Sequence, residues 1–129
     1  MKNRRSMLFM PGNNPGMLVS ADILGADSII YDLEDAVSLD EKDSARTLVR
    51  NALSFLKFTH SEITVRINPI DSPYWEKDLE AIIPVLPDGI VIPKASVDAV
   101  HSVEQKINEI KKAHTEMLLR ELSVQDSMI

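Results

Sequence analysis

The chain has 129 residues, 44% hydrophobic and 26% charged with only 4 glycines, which excludes a fibrous, low-complexity or disordered polymer and fits one globular domain. The 20 acidic residues outnumber the 14 basic ones, for a net charge of -6, and no basic stripe carries interleaved aromatics, so nucleic acid is excluded as the expected partner. There is no cysteine for a disulfide or thiolate site, and the apolar run after the basic start stops at Pro11-Gly12, too short for a signal core or membrane span, so no membrane association and a cytoplasmic location are expected.

Short apolar runs alternate with helical patterns along the chain, the arrangement of parallel strands in βα units. The first strand is read over Ser6–Met10 and stops at Pro11-Gly12; Asn14 then caps a helix with Pro15 at its first position, and Gly25 closes it. Ser28–Leu33 is the second strand, apolar on both faces until its end, as in a strand buried on two sides. Its helix takes Asp40 as N-cap and places Ala45, Leu48, Val49, Ala52, Leu53 and Leu56 on one stripe, with Lys42, Asp43, Arg46 and Arg50 on a solvated face. Ile63–Asn68 forms the third strand, and Ser72-Pro73 opens a helix through Leu79 and Ile82 that Pro84 and Pro87 end. After a turn at Asp88-Gly89, the fourth strand Ile90–Ile92 runs into Pro93-Lys94. Its helix aligns Val97, Val100, Val103, Ile107 and Ile110, continues through Thr115–Leu122, and gives way to a polar tail from Ser123 to Ile129.

Polar groups gather where strands finish: Asp32, Glu34 and Asp35 after the second, Arg66 and Asn68 on the third, Lys94 on the fourth. In a parallel barrel those ends open on one face and build the active site, and in a flavodoxin-like open sheet they share one edge, so the pattern fits both. Glu34 and Asp35 can orient a cation, a water or a catalytic side chain, or serve as caps and turn formers. Arg66, inside an apolar strand, must snorkel outward or find an anion, either a substrate carboxylate or an internal partner, Glu34 or Asp35. Asn68 ends its strand before Pro69 and has an amide that can touch a ligand. Lys94 fits a rim ion pair better than a Schiff base. The loop Gly12–Gly16 lacks the spacing of a phosphate-binding motif and reads as a strand-to-helix turn. His60, His101 and His114 have no partners at metal-ligand spacing.

Arg5–Gly12, Tyr31–Val37 with Lys42–Arg46, Val65–Asn68 and Ile92–Lys94 together resemble, in order, the citrate lyase beta subunit family and its malyl- and citramalyl-thioester relatives, from about Arg4 to about Ala113. The resemblance implies an α/β fold that is the first four βα units of a TIM (β/α)8 barrel. It also implies cleavage of a citryl thioester, carried on an acyl carrier protein or coenzyme A, to oxaloacetate and an acetyl thioester, assisted by Mg2+. On that resemblance Arg66 holds the oxaloacetate portion with Asn68 nearby, Glu34 and Asp35 are acidic catalytic residues near a metal-bound water, and Phe9, Pro11 and Gly12 lie toward the carrier.

The family's metal ligands are a Glu and an Asp on its fifth and sixth strands, and no segment after Ala113 resembles either. This chain is therefore expected to supply no metal ligand, to be a truncated or frame-shifted product, and to be inactive alone. Residues 1–114 are read as the barrel's amino-terminal half and 115–129 as a helix extension and non-family tail. Four strands cannot close a barrel of about 250 residues, so exposed edges predict homo-oligomers or association with other citrate lyase subunits. The alternative is a non-catalytic assembly or binding module of a lyase complex.

Overall fold

The computed structural model describes residues 7–14, 25–55 and 61–127. Four strands, β1 (Met7–Pro11), β2 (Ser28–Asp32), β3 (Glu62–Arg66) and β4 (Gly89–Val91), form one parallel sheet in the order β1-β2-β3-β4. Their register aligns Pro11, Asp32, Arg66 and Val91 in a row at the carboxyl ends. Beyond that row the ladder continues for one more step. The amide N–H of Gly12 donates to the Asp32 carbonyl at 2.9 Å, Leu33 to Arg66 at 2.9 Å and Ile67 to Val91 at 3.2 Å.

Consecutive strand order separates the two architectures that the sequence leaves open. A flavodoxin-like sheet places its first strand inside the order, whereas a barrel adds each strand beside the last. Here each described strand neighbours its successor, and the helices α1 (Lys42–Phe55), α2 (Trp75–Ile82) and α3 (Val97–Ser127) share one face. On that face Met10, Ile29, Tyr31, Ile63 and Val65 pack with Ala45, Val49 and Ala52 of α1 and Ile82 of α2. A neighbouring cluster joins Ile67, Leu79 and Val103 with Trp75, Ile90, Ile92, Ile107 and Ile110. The opposite face carries Phe9, Asp32 and Arg66, because side chains alternate along a strand and in-register parallel partners project to the same side.

The strands shift by one or two residues at their ends, and the helix boundaries differ further from the sequence reading. Asp40 does not cap α1: it lies inside a 3-10 turn, Leu39–Glu41, whose Glu41 N–H donates to the Ser38 carbonyl, and the α-helix starts one residue later. Helix α2 starts at Trp75 rather than Ser72, since Ser72 is spent on a turn, its hydroxyl donating to the Pro69 carbonyl at 2.6 Å. Helix α3 begins where expected, with Ser96 Oγ accepting the Ala99 N–H at 3.1 Å. It then runs on to Ser127, into the segment expected as a polar tail, because no Gly or Pro follows Pro93 to stop it. Within it Val97 and Val100 are exposed rather than aligned on the packed face with Val103.

The helix expected after Asn14, and Leu56 of the α1 stripe, lie outside the described residues. Gly25 is described and holds φ 75°, the left-handed conformation that ends helices. No helix among the described residues is long and apolar enough to cross a membrane.

Candidate active site

The carboxyl-end row brings together Phe9, Asp32, Glu34 and Arg66. Arg66 Nε donates to Asp32 Oδ1 at 2.9 Å and Nη2 to Oδ2 at 2.6 Å, a two-pronged pair set by the register of β2 on β3. Glu34 Oε1 lies 3.7 Å from the same Nε. The Phe9 ring centroid is 5.0 Å from the guanidinium carbon, so the cation stacks against an aromatic face. The Asp32 carboxylate also accepts the backbone N–H of Glu34 (2.8 Å, Oδ1) and of Ala36 (3.1 Å, Oδ2), which winds the chain after β2 into a turn. One buried carboxylate thereby fixes both the arginine and the loop bearing Glu34 and Asp35.

Arg66 was open to two readings, and in this structure it is paired internally. Its main partner is Asp32, with Glu34 the more distant contact and Asp35 further out on the exposed loop. Asp32 engages only the Nε side of the guanidinium; the edge between Nη1 and Nη2 does not donate as a pair to Asp32.

Charge sharpens the picture. Burial pushes the Asp32 carboxyl up, but the Arg66 hydrogen bonds and the Glu34 and Ala36 amides outweigh it and hold it below its ordinary value. Glu34 is raised, by burial first and then by the neighbouring Asp35 charge, with Arg66 opposing. Arg66 is held above its ordinary value chiefly by the hydrogen bond to Asp32.

A second layer lies on the helix side. Lys42 and Arg46, read from sequence as a solvated face, are 6% and 8% exposed. Lys42 Nζ donates to the carbonyl oxygens of Leu33 (2.9 Å) and Glu34 (2.7 Å), pinning the acidic loop from behind, and lies 6.0 Å from the Tyr74 ring centroid. Burial pushes its ammonium down, opposed by the charges of Asp78, Asp32, Glu34 and Asp35. Arg46 Nε donates to buried Asp78 Oδ1 at 2.9 Å and its Nη1 to Asp43 at 2.7 Å. Asp78 Oδ2 accepts both the backbone N–H (2.9 Å) and the side-chain amide (2.7 Å) of Asn68. Asn68 is thus committed to α2 rather than to the Arg66 cluster, and it anchors the segment just past Arg66.

Sequence reasoning placed Asp32 in the strand-end cluster without giving it a role, and missed Lys42, Arg46 and Asp78 as functional supports. One signal was available for Lys42: at about 100° per residue it projects between Val49 and Leu53, inside the apolar stripe. Gly12 is buried where a Cβ would sit 2.9 Å from the Asp32 carbonyl oxygen and 3.0 Å from Val49, so only glycine lets β1 close onto β2 there. Next to it, Asn13 donates from its side-chain amide to the Glu41 carboxylate, tying this loop to the start of α1. Pro11 is half-buried beside them. Lys94 is exposed at φ 49° and forms no ion pair among the described residues, so the expected rim pairing is absent there. No group of three or more His, Cys, Asp or Glu among the described residues could hold a metal ion.

The chain and its fold have counterparts among known proteins. The HpcH/HpaI aldolase/citrate lyase family model matches residues 5–124. The citrate lyase subunit beta of Leuconostoc mesenteroides is 49% identical over 110 residues, covering 84% of this chain and 36% of that protein. The Haemophilus influenzae subunit is 46% identical, with 88% and 39% covered. A (3S)-malyl-CoA thioesterase of Cereibacter sphaeroides is 44% identical over 71% of this chain. The Mycobacterium tuberculosis CitE structure with magnesium and acetoacetate superposes with a TM-score of 0.65 at 31% identity, covering 80% of this chain and 43% of that one. RipC of Yersinia pestis gives 0.61 at 28%, with 82% and 42% covered. The chain thus spans 36–39% of the length of the two citrate lyase subunits it matches. From sheet order, strand-end motifs and these matches together, the chain belongs to the HpcH/HpaI aldolase/citrate lyase family.

Proposed function

We propose that this chain carries the carboxylate-gripping part of a citryl-thioester lyase site, the site that cleaves a citryl thioester on an acyl carrier protein or coenzyme A to oxaloacetate and an acetyl thioester. The observation that carries the reading is Arg66: at the carboxyl end of its strand it is held side-on by Asp32 and stacked on Phe9, and Asp32 leaves its Nη1–Nη2 edge unengaged. A second carboxylate, that of an oxaloacetate portion, fits that edge in the same two-pronged geometry. Glu34 takes the acid–base side, since a carboxyl whose proton affinity is raised is suited to hold or hand over a proton, and Asp35 stands beside it on the same loop. Phe9, Pro11 and Gly12 form the rim on which the thioester carrier lies. Asn68 contributes through Asp78, by fixing the segment beyond Arg66.

Magnesium is present in solved Mycobacterium tuberculosis CitE complexes. The described residues here do not fit a resident divalent ion: no acidic group of three converges, and both oxygens of Asp32 are occupied by Arg66 and backbone amides. We therefore assign the metal ligands to protein outside this chain and expect no turnover by the chain alone. Calorimetric titration of the purified chain with oxaloacetate tests the reading. Binding that Arg66→Lys weakens at least about tenfold supports it, because lysine cannot grip a carboxylate at two points. Equal binding by both proteins, or magnesium-dependent cleavage of citryl-coenzyme A by the chain alone, overturns it.

A second reading, an assembly module without catalysis, is favoured by one observation. Met7 and Phe9, on the outer strand β1, are 59% and 50% exposed, an apolar surface suited to a partner.

A further inference from the structure

The backbone of the acidic loop after β2 is tied down on every polar group that leads to Glu34. The Leu33 N–H donates to the Arg66 carbonyl at 2.9 Å, and the Glu34 N–H donates to Asp32 Oδ1 at 2.8 Å. The carbonyl oxygens of the same two residues both accept Lys42 Nζ, at 2.9 and 2.7 Å, and that of Glu34 also takes the Val37 N–H at 3.1 Å. With these groups committed, the Glu34 side chain has only its own torsions left with which to reach Arg66. Its Oε1 stands 3.7 Å from Arg66 Nε.

Lys42 occupies a place where a lysine is unfavourable. It is the first residue of α1, at the positive end of the helix dipole, and it is 6% exposed. A residue that breaks two local rules together marks a site where the gain lies elsewhere. Here the gain is control of a segment in which Asp32, Glu34 and Asp35 fall within four positions and repel one another. One turn along the same helix, Arg46 holds Asp78, which holds Asn68 two residues beyond Arg66. Helix α1 therefore grips both walls of the cluster from neighbouring turns, the Glu34 wall through Lys42 and the Arg66 wall through Arg46.

We propose that Lys42 is a positioning residue that sets the Glu34 carboxyl at Arg66, acting through the loop backbone rather than through its charge. The catalytic use of that carboxyl rests on the lyase reading; the positioning does not. Burial is the largest influence on the proton affinity of Glu34, followed by Asp35, Arg66 and Asp32, with the Lys42 charge the smallest of the five. The two modes of action therefore carry opposite signs. Loss of the Lys42 charge alone raises the Glu34 carboxyl further, whereas a released loop, its Leu33 carbonyl turning to water, rehydrates Glu34 and returns it toward its ordinary 4.5.

Carbon-detected NMR titration of the Glu34 carboxyl in the full chain tests the proposal without any ligand, with dispersed amide spectra confirming that each variant is folded. In Lys42→Met the Glu34 titration should fall back toward 4.5, while Lys42→Arg, which keeps an N–H for each carbonyl, should match wild type. Lys42→Gln, uncharged and shorter, replaces Lys42→Met if that variant does not fold, with the same fall expected. A further rise, or no change, overturns the proposal. Oxaloacetate affinity of Lys42→Met, by calorimetry at neutral pH, should stay within about threefold of wild type, because Asp32 and not Lys42 holds Arg66. A loss of about tenfold or more also overturns it, since Lys42 then supports the whole cluster. A wild type that binds no oxaloacetate counts against the lyase reading alone and leaves the titration to decide the role of Lys42.

Discussion

Asp32 and Arg66 are register partners across β2 and β3, and each oxygen of the carboxylate takes one nitrogen of the guanidinium. Neither is replaceable without stranding the other, because Asp32 is buried and the Arg66 side chain is only 22% exposed. Arg66→Ala is expected to cost about 2–3 kcal/mol in urea unfolding, below the value for a fully buried pair because Arg66 is partly exposed. A loss under about 0.5 kcal/mol would show the pair to be ornamental.

The same pair sets an acid-sensitive stability. Asp32 titrates below its ordinary 3.8 when folded, so its contribution is fully present above the unfolded value and is lost as pH falls through the folded one. Wild type should therefore exceed Asp32→Asn in urea midpoint at neutral pH, and the gap should close on acidification below 3.8. Glu34 has the opposite sign. Its folded value lies above 4.5, so it lowers stability as pH rises through that range, and Glu34→Gln should raise the midpoint at neutral pH but not well below 4.5.

Arg46 and Asp78 are buried together, and Asp78 also holds Asn68. Asp78→Ala leaves a desolvated guanidinium and two unsatisfied N–H groups, for an expected loss of about 3–5 kcal/mol. The double variant Arg46→Met, Asp78→Leu should lose less than either single change, since no charge is then left buried alone. Simple additivity in the urea midpoints would contradict the coupling.

Gly12→Ala places a methyl 2.9 Å from the Asp32 carbonyl oxygen, a backbone atom that cannot swing aside. The cost should be about 1–3 kcal/mol, readable as a lowered Tm. An unchanged Tm would mean that β1 can lift away from β2 freely.

Lys42→Met preserves the volume and apolar stem but removes both donors to the Leu33 and Glu34 carbonyls. Hydrogen exchange at the amides of Glu34 and Ala36 should accelerate by about tenfold or more while the α1 amides change little. Uniform acceleration across the chain would instead assign Lys42 to global stability.

Much of this arrangement was legible in the residues. The alternation of apolar runs and helical stripes predicts four βα units, and an arginine in an apolar strand predicts an anion beside it. The partner's identity was not legible, because only the β2–β3 register decides that Asp32, rather than Glu34 or Asp35, faces Arg66. Lys42 and Arg46 defeated the solvated-face reading for a related reason: what they satisfy, two loop carbonyls and Asp78, comes from segments up to 32 positions away. Such charges enter a core only when tertiary structure delivers partners to them. Asn68 was readable as a strand end, but its commitment to Asp78 depends on how α2 packs.

The sheet's sequential order also bears on how the chain is made. Because β2 joins β1, β3 joins β2 and β4 joins β3, each strand emerging from a ribosome finds its docking edge already synthesised, and none must be threaded between two earlier ones. Growth of the polypeptide and growth of the sheet proceed in the same direction. The edge that advances is β4, and β1 stays as the edge from which the sheet began.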